Sequence, residues 1–286
     1  MLAGLLATEM SAINSNQHVV CVLGMHRSGT SLLARLLNLL GVELGDPNLL
    51  TSEPASFNPK GYWEHQELTL ISDAILHRCG GSWDNPPQLQ QGWQTNPSLD
   101  DLRLKAISVI TSQFQHTSLW GWKDPRTCLT LPFWKYLLSG LRYVVSLRHP
   151  LSVARSLEYR DNFSAEKSFY LWLTYVSCAL KYSEDEDRLI VFYDDLINDV
   201  QRNLMTLSEF IGMPDRGVSL AVVSAAEQFI EPTLQHYRET NDLSNPRSEL
   251  EAGALALYDC LRNSRSNSHL SRQLSKVDRL MQKPPR

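Results

Sequence analysis

The sequence predicts an α/β fold in which a parallel β-sheet carries helices on both faces, followed by a helical C-terminal extension. Four observations lead there. The continuous apolar run Val19 to Leu23 reads as a strand buried on both faces. The Leu-rich stretch after Gly29 repeats at helical spacing. Between the two, Gly24 and Gly29 bracket four residues and Thr30-Ser31 follow, so small residues let the backbone turn tightly and present a row of backbone N–H donors at a helix N-terminus. Finally, strand-like runs at 119–123, 141–147 and 189–193 alternate with helical stretches, as parallel strands joined by crossover helices do.

At 286 residues the chain can bury a large core, as one sizeable domain or two small ones. A net charge of −4 argues against bulk attraction to nucleic acid, and no run approaches the roughly 20 apolar residues that cross a bilayer. Cys21, Cys79, Cys128, Cys178 and Cys260 are scattered without metal-ligand spacing and read as reduced core thiols. The apolar patch Met1 to Leu6 lacks the basic flank and cleavage site of a secretory signal. Residues 1–17 therefore read as a flexible extension, with Met10 an alternative start, and the expected location is cytoplasmic.

In order, the first helix is expected over about 30–40, and Gly, Pro and Asn make 41–61 a loop. Helical periodicity resumes at Trp63 and stops at Gly80-Gly81. Residues 82–98 carry Trp83, Trp93 and three prolines among Gln and Asn, either a surface loop tucked down by its tryptophans or part of a binding site. A helix over about 99–115 leads to the strand Leu119 to Lys123, and a helical stretch holds Phe133, Trp134 and Leu137. The strand Leu141 to Leu147 runs into Arg148-His149-Pro150, where the proline opens a helix. An aromatic helix at 164–182 reads as core, the acidic 184–187 as a solvated turn, and Leu189 to Tyr193 as a strand. The main domain is expected to span 18–245. Beyond it, 246–286 form a basic extension in which Leu270, Leu274, Val277 and Met281 recur at helical spacing. That amphipathic helix either packs on the domain or meets a membrane surface or partner.

The loop departs from the nucleotide-triphosphatase pattern where that motif needs lysine. Thr30 follows Gly29, and the loop's own cation is Arg27. Strand, loop with an internal basic residue and helix together resemble the 5′-phosphosulfate loop of sulfotransferases that use 3′-phosphoadenosine 5′-phosphosulfate (PAPS). The family's second signature is a strand ending in Arg with a Ser eight residues on, and Arg148 and Ser156 stand at that spacing. Asn58-Pro59-Lys60-Gly61-Tyr62-Trp63-Glu64, Trp122-Lys123-Asp124-Pro125-Arg126 and Phe192-Tyr193-Asp194-Asp195-Leu196 are similar to further stretches of the family's bacterial branch, the last with Asp194 where the family has Glu. The resemblance covers roughly 18–214, with a weak trace at Leu234 to Arg238.

The resemblance implies a P-loop sulfotransferase fold, PAPS as co-substrate and transfer of a sulfuryl group to an acceptor hydroxyl. Residue by residue, it assigns Arg27, Ser28, Gly29, Thr30 and Ser31 to the 5′-phosphosulfate, and Arg148 and Ser156 to the 3′-phosphate. Lys123 falls to the bridging oxygen or sulfuryl group and Glu64 to the general base, with His65 the alternative base. No metal is demanded, because cations take its place. Related bacterial proteins often sit with glycan assembly, so a saccharide hydroxyl is the expected acceptor, ahead of a lipid or small alcohol.

Simpler readings stand beside these. Glu64 suits the first turn of a helix, His65 a surface position, Lys123 a salt bridge to Asp124 or Asp195, and Arg148 a strand-end pair with an acid. Asp194 and Asp195 keep open a nucleotide-dependent kinase that binds Mg²⁺. The basic C-terminal helix keeps open a non-catalytic nucleotide-binding docking module.

Overall fold

A computed structural model describes residues 17–51, 60–184, 186–213, 218–230, 246–263 and 267–282. The expected extension at 1–16, Asn58-Pro59 and Leu234 to Arg238 lie outside them. The elements run β1 (His18–Leu23), α1 (Thr30–Leu39), α2 (Gln66–Arg78), α3 (Asp100–Phe114), β2 (Leu119–Lys123), α4 (Thr127–Leu137), β3 (Leu141–Leu147), α5 (Pro150–Asp161) and α6 (Ala165–Tyr182). They continue with β4 (Arg188–Phe192), α7 (Tyr193–Asn198), α8 (Val200–Phe210), α9 (Leu220–Phe229), α10 (Glu249–Arg262) and α11 (Asn267–Met281).

The four strands form one parallel sheet in the order β2-β1-β3-β4, with Val22 opposite both Lys123 and Val144. Successive strand residues point to opposite faces, and both faces of β1 are covered. Val19, Cys21 and Leu23 pack with apolar residues of α2, α3, α4, α5 and α6, whereas Val20 and Val22 pack with those of α1, α7, α8 and α9. Sheet and flanking helices thus follow the expectation from the apolar runs.

Two boundaries differ from expectation. α2 begins at Gln66 rather than at Trp63, because Trp63 takes a left-handed φ of 59° and His65 is extended, so no helix can run through them. β4 ends at Phe192, and Tyr193 opens α7 instead of closing the strand. At the C-terminal end, Leu250, Ala254, Leu257 and Val277 join the core on the Val19 face, and Lys181 of α6 pairs with Asp278 of α11. The apolar stripe of α11 therefore packs on the body of the protein. No helix among the described residues is long and apolar enough to cross a membrane.

Candidate active site

The carboxyl ends of the strands open onto a cavity of about 910 Å³, counting its mouth. Sheet order accounts for its place: the chain leaves β1 toward one side of the sheet and β3 toward the other, so the neighbours part and leave a crevice. The loop from Gly24 to Gly29 borders it. Gly24 has a φ of 146°, and a Cβ there would stand 2.6 Å from the Ser146 carbonyl oxygen of β3. Only glycine lets the loop turn this close to its neighbour strand. Ser28 N donates to Met25 O at 3.1 Å, Ser146 Oγ donates to Ser28 O at 2.7 Å, and Gly24 N donates to the buried Cys128 Sγ at 3.1 Å. Gly29, the N-cap of α1, has no side chain to cap the helix, and Gly29, Thr30 and Ser31 line the cavity, so the positive end of that helix borders it.

The second motif closes on the first. Arg148 donates through Nη1 to Arg27 O at 3.1 Å, and its guanidinium lies 4.5 Å from the centre of the Tyr193 ring. Its partners are a carbonyl and an aromatic face, not the acid that a strand-end ion pair would need. Arg27 Nε donates to Ser156 Oγ at 2.8 Å, so Arg27, Arg148 and Ser156 meet at one place. Burial, and then the charges of Arg160 and Arg148, hold the Arg27 guanidinium below its ordinary value. Arg27 and Arg148, two cations held together at a buried point, are the complement of a polyanion. Ser28 Oγ, also buried, has no hydrogen-bond partner among the described residues and is a further donor at the loop.

At the end of β2, Lys123 Nζ lies 2.6 Å from Glu64 Oε1 and donates to Ser31 Oγ at 3.4 Å. The side chains of Lys123 and Glu64 are only 1% and 12% exposed, which makes this a largely desolvated pair. Lys123 therefore pairs with neither Asp124 nor Asp195. Asp124 Oδ1 accepts from Arg126 N at 3.1 Å and Nη1 at 3.0 Å, while Asp195 pairs with Arg262 of α10. Burial pushes the Asp124 carboxyl up, to about 6, against the pull of Arg126. Arg126 also holds Asp73 at 2.6 Å and stands 3.8 Å from Glu64 Oε2. Among the described residues that line the cavity, Glu64 is the one carboxylate.

Glu64 and His65 part company. Consecutive side chains of an extended stretch point to opposite sides, and Glu64 takes the cavity side. The His65 ring turns away, 2% exposed, against Gly45 and Phe114. It is neither at the surface nor among the cavity residues, and the alternative base is not brought to Lys123. Glu64, for its part, precedes α2 instead of occupying its first turn.

His26, Lys60, Tyr62, Arg160 and Tyr193 also line the cavity, beyond the residues assigned from the motifs. All five left a signal in the sequence: His26 lies inside the loop motif, Arg160 stands four residues past Ser156 on the same helix face, and Lys60, Tyr62 and Tyr193 lie within the family-like stretches. The sequence carries no sign that Lys60 Nζ donates to the Gln228 and Phe229 carbonyls at the end of α9, at 2.8 and 2.7 Å. The 82–98 loop does not line the cavity itself but backs it through Trp83, whose ring lies 4.6 Å from that of His26.

Burial, and then the charges of Arg126, Arg160, Lys123 and Arg27, keep the His26 imidazole well below its usual 6.5. A depressed folded-state value contributes stability above 6.5 that is lost as pH falls, because the unfolded chain takes up a proton that the folded chain refuses. Relative to His26→Phe, the wild type is expected to lose up to about 1.4 kcal/mol per pH unit below that point in chemical denaturation. Parallel stability curves for the two proteins between pH 7.5 and 5.5 would contradict this.

The sequence model of the sulfotransferase family matches residues 20–217. A search of curated proteins finds no match. Among solved structures, the sulfotransferase domain from the curacin biosynthetic pathway is similar over 87% of this chain and 98% of its own, at 14% identity and a TM-score of 0.48. The sulfotransferase domain from the Synechococcus PCC 7002 olefin synthase is similar over 96% of this chain and 98% of its own, at 17% identity and a TM-score of 0.48. Sulfotransferase STF9 from Mycobacterium avium covers 80% of this chain and 71% of its own, at 10% identity and a TM-score of 0.45. With more than half of the chain inside the family match, β2 to β4 and most of β1 included, the protein belongs to the sulfotransferase family and is a sulfotransferase.

Proposed function

We propose that the cavity binds PAPS and that the enzyme sulfates a saccharide hydroxyl. The observation that carries the donor half is the buried meeting of Arg27, Arg148 and Ser156 beside the N-terminus of α1, a pair of cations and a helix end that suit a polyanion. The lining suits a nucleotide elsewhere too, because Leu32, Ile197, Phe229 and Ile230 give it an apolar wall on the α1, α7 and α9 side. When bound, the nucleotide supplies the sulfuryl group.

Arg27 and the amides of residues 28–31 hold the 5′-phosphosulfate end, and Arg148 with Ser156 holds the 3′-phosphate. Moving a nearly neutral SO₃ unit between two oxygens is mostly a matter of positioning and charge stabilisation. Lys123 serves the departing oxygen. As it turns from Glu64 toward that oxygen, the carboxylate is freed to take the proton of the acceptor hydroxyl. A kinase would need lysine after Gly29 and a carboxylate for Mg²⁺. Thr30 stands at that position, and Asp195 is engaged by Arg262.

The saccharide half rests on the resemblance to bacterial proteins of glycan assembly, and on Trp83 as an aromatic face behind His26 and Arg160. Release of 3′-phosphoadenosine 5′-phosphate (PAP) from PAPS, followed across saccharides, lipid alcohols and small alcohols, tests it. Acceleration by a saccharide supports the reading, and acceleration by the other alcohols alone overturns the acceptor half. For the donor half, Arg148→Ala removes a charge-assisted contact worth about 1.5–3 kcal/mol and is expected to weaken PAP binding about ten- to a hundredfold. Unchanged affinity in calorimetry would contradict the assignment.

A further inference from the structure

Two lysine or arginine side chains among the described residues of the cavity are not used by the donor assignment: Lys60, whose Nζ donates to the Gln228 and Phe229 carbonyls, and Arg160. The Arg160 guanidinium lies 5.4 Å from the centre of the Trp83 ring. Nε donates to Asp161 Oδ2 at 2.7 Å, and neither Nη group has a hydrogen-bond partner among the described residues. The support beneath it is rigid. Tyr175 OH donates to Trp83 O at 2.7 Å, and the neighbouring Asp84 accepts from Ser82 Oγ at 2.7 Å and from Lys167 Nζ at 2.9 Å. The Arg160 side chain is 14% exposed, a braced fork and not a loose surface group.

The surrounding charges leave that fork unanswered. Glu64 is taken by Lys123, Asp73 and Asp124 by Arg126, and Asp161 by the Nε edge of Arg160 itself. Arg160 shares the Trp83 ring with His26, and neither belongs to the apolar wall that suits the nucleotide base. An arginine with both Nη groups open, planar and held from behind, matches a carboxylate through two parallel hydrogen bonds.

We propose that Arg160 sets acceptor specificity by engaging a carboxylate on the molecule whose hydroxyl is sulfated. The inference rests on the sulfotransferase reading of the cavity and narrows its acceptor to an acidic one. It makes Arg160 a specificity residue for the acceptor, distinct from the cations that hold the donor.

The test uses full-length protein saturated with PAP, so that the donor side is filled, and measures by calorimetry the binding of 4-nitrophenyl β-D-glucuronide and 4-nitrophenyl β-D-glucoside. These differ only in a carboxylate against a hydroxymethyl group. The glucuronide is expected to bind about tenfold tighter or more. Arg160→Gln is expected to abolish the preference with PAP affinity unchanged, and Arg160→Lys, which keeps the charge without the fork, to retain part of it. Equal affinity for the two sugars, binding of neither, or a preference that survives in Arg160→Gln overturns the proposal. A loss of PAP affinity in Arg160→Gln also overturns it, by assigning the residue to the donor. The PAP titration that precedes the sugars reports separately on the donor reading, since it does not depend on which acceptor is bound.

Discussion

Replacing Lys123 by alanine is expected to lower turnover by about a hundred- to a thousandfold, the scale of removing one preorganised charge-stabilising donor. Lys123 emerges from the carboxyl end of β2 almost wholly buried, with Glu64 on one side and Ser31 on the other. No other cation among the described residues is held so close to Glu64, because Arg126 stands 3.8 Å away and is already shared between Asp73 and Asp124. The variant also strands a buried carboxylate, so it should lose stability as well as activity. The double variant Lys123→Ala/Glu64→Gln separates the two effects. Its melting temperature should recover toward the wild type, since no charge is left unpaired, while turnover stays low. Wild-type turnover in Lys123→Ala, measured as PAP release at saturating PAPS, would remove Lys123 from the chemistry.

Gly29→Ala is expected to damage both stability and PAP binding. Gly29 sits at a φ of 85°, and a Cβ there would stand 2.2 Å from Tyr193 Cδ2, a ring carbon of a buried side chain. Strain at positive φ and overpacking together cost about 2–4 kcal/mol. Tyr193 cannot yield quietly, because the Arg148 guanidinium lies 4.5 Å from its ring centre, and moving the ring moves Arg148. One substitution thus disturbs both phosphate-facing motifs, and PAP affinity should fall further than in Arg148→Ala. Gly80→Ala is the control. Its φ of 83° is similar, but a Cβ there meets nothing within 4 Å, so it should show the backbone strain alone and leave PAP binding intact. Equal losses of PAP affinity in the two variants would refute the role given to Tyr193.

Much of this architecture was legible in the sequence because it is written locally. Apolar runs bounded by Gly and Pro set the strands, and Gly24 and Gly29 bracket a loop whose geometry only glycine allows. Arg148 and Ser156 share one strand-helix junction, so their spacing alone brings them near each other. What local pattern could not carry was the outcome of long-range packing. Whether Glu64 or His65 faces the cavity turned on the left-handed Trp63 and on Gly45 and Phe114, which receive the His65 ring. The partner of Lys123 came from a segment far back in the chain, and that of Asp195 from α10 near its end. Arg160 shares a helix face with Ser156, but no local pattern brings Trp83, from a loop with no periodic signal, beneath it.

The central claim is that the cavity selects an adenine nucleotide by its 3′-phosphate and needs no Mg²⁺ to do so. Thermal unfolding with PAP, with ADP, and with ATP plus Mg²⁺, each at the same concentration, tests it directly. A ligand that binds only the folded state raises the melting temperature, by about 2.7 kcal/mol of added stability at a hundred times its Kd. The account predicts a clear upward shift with PAP, unaffected by EDTA, and little with ADP. A shift with ATP and Mg²⁺ alone, or none with any of the three, would contradict it.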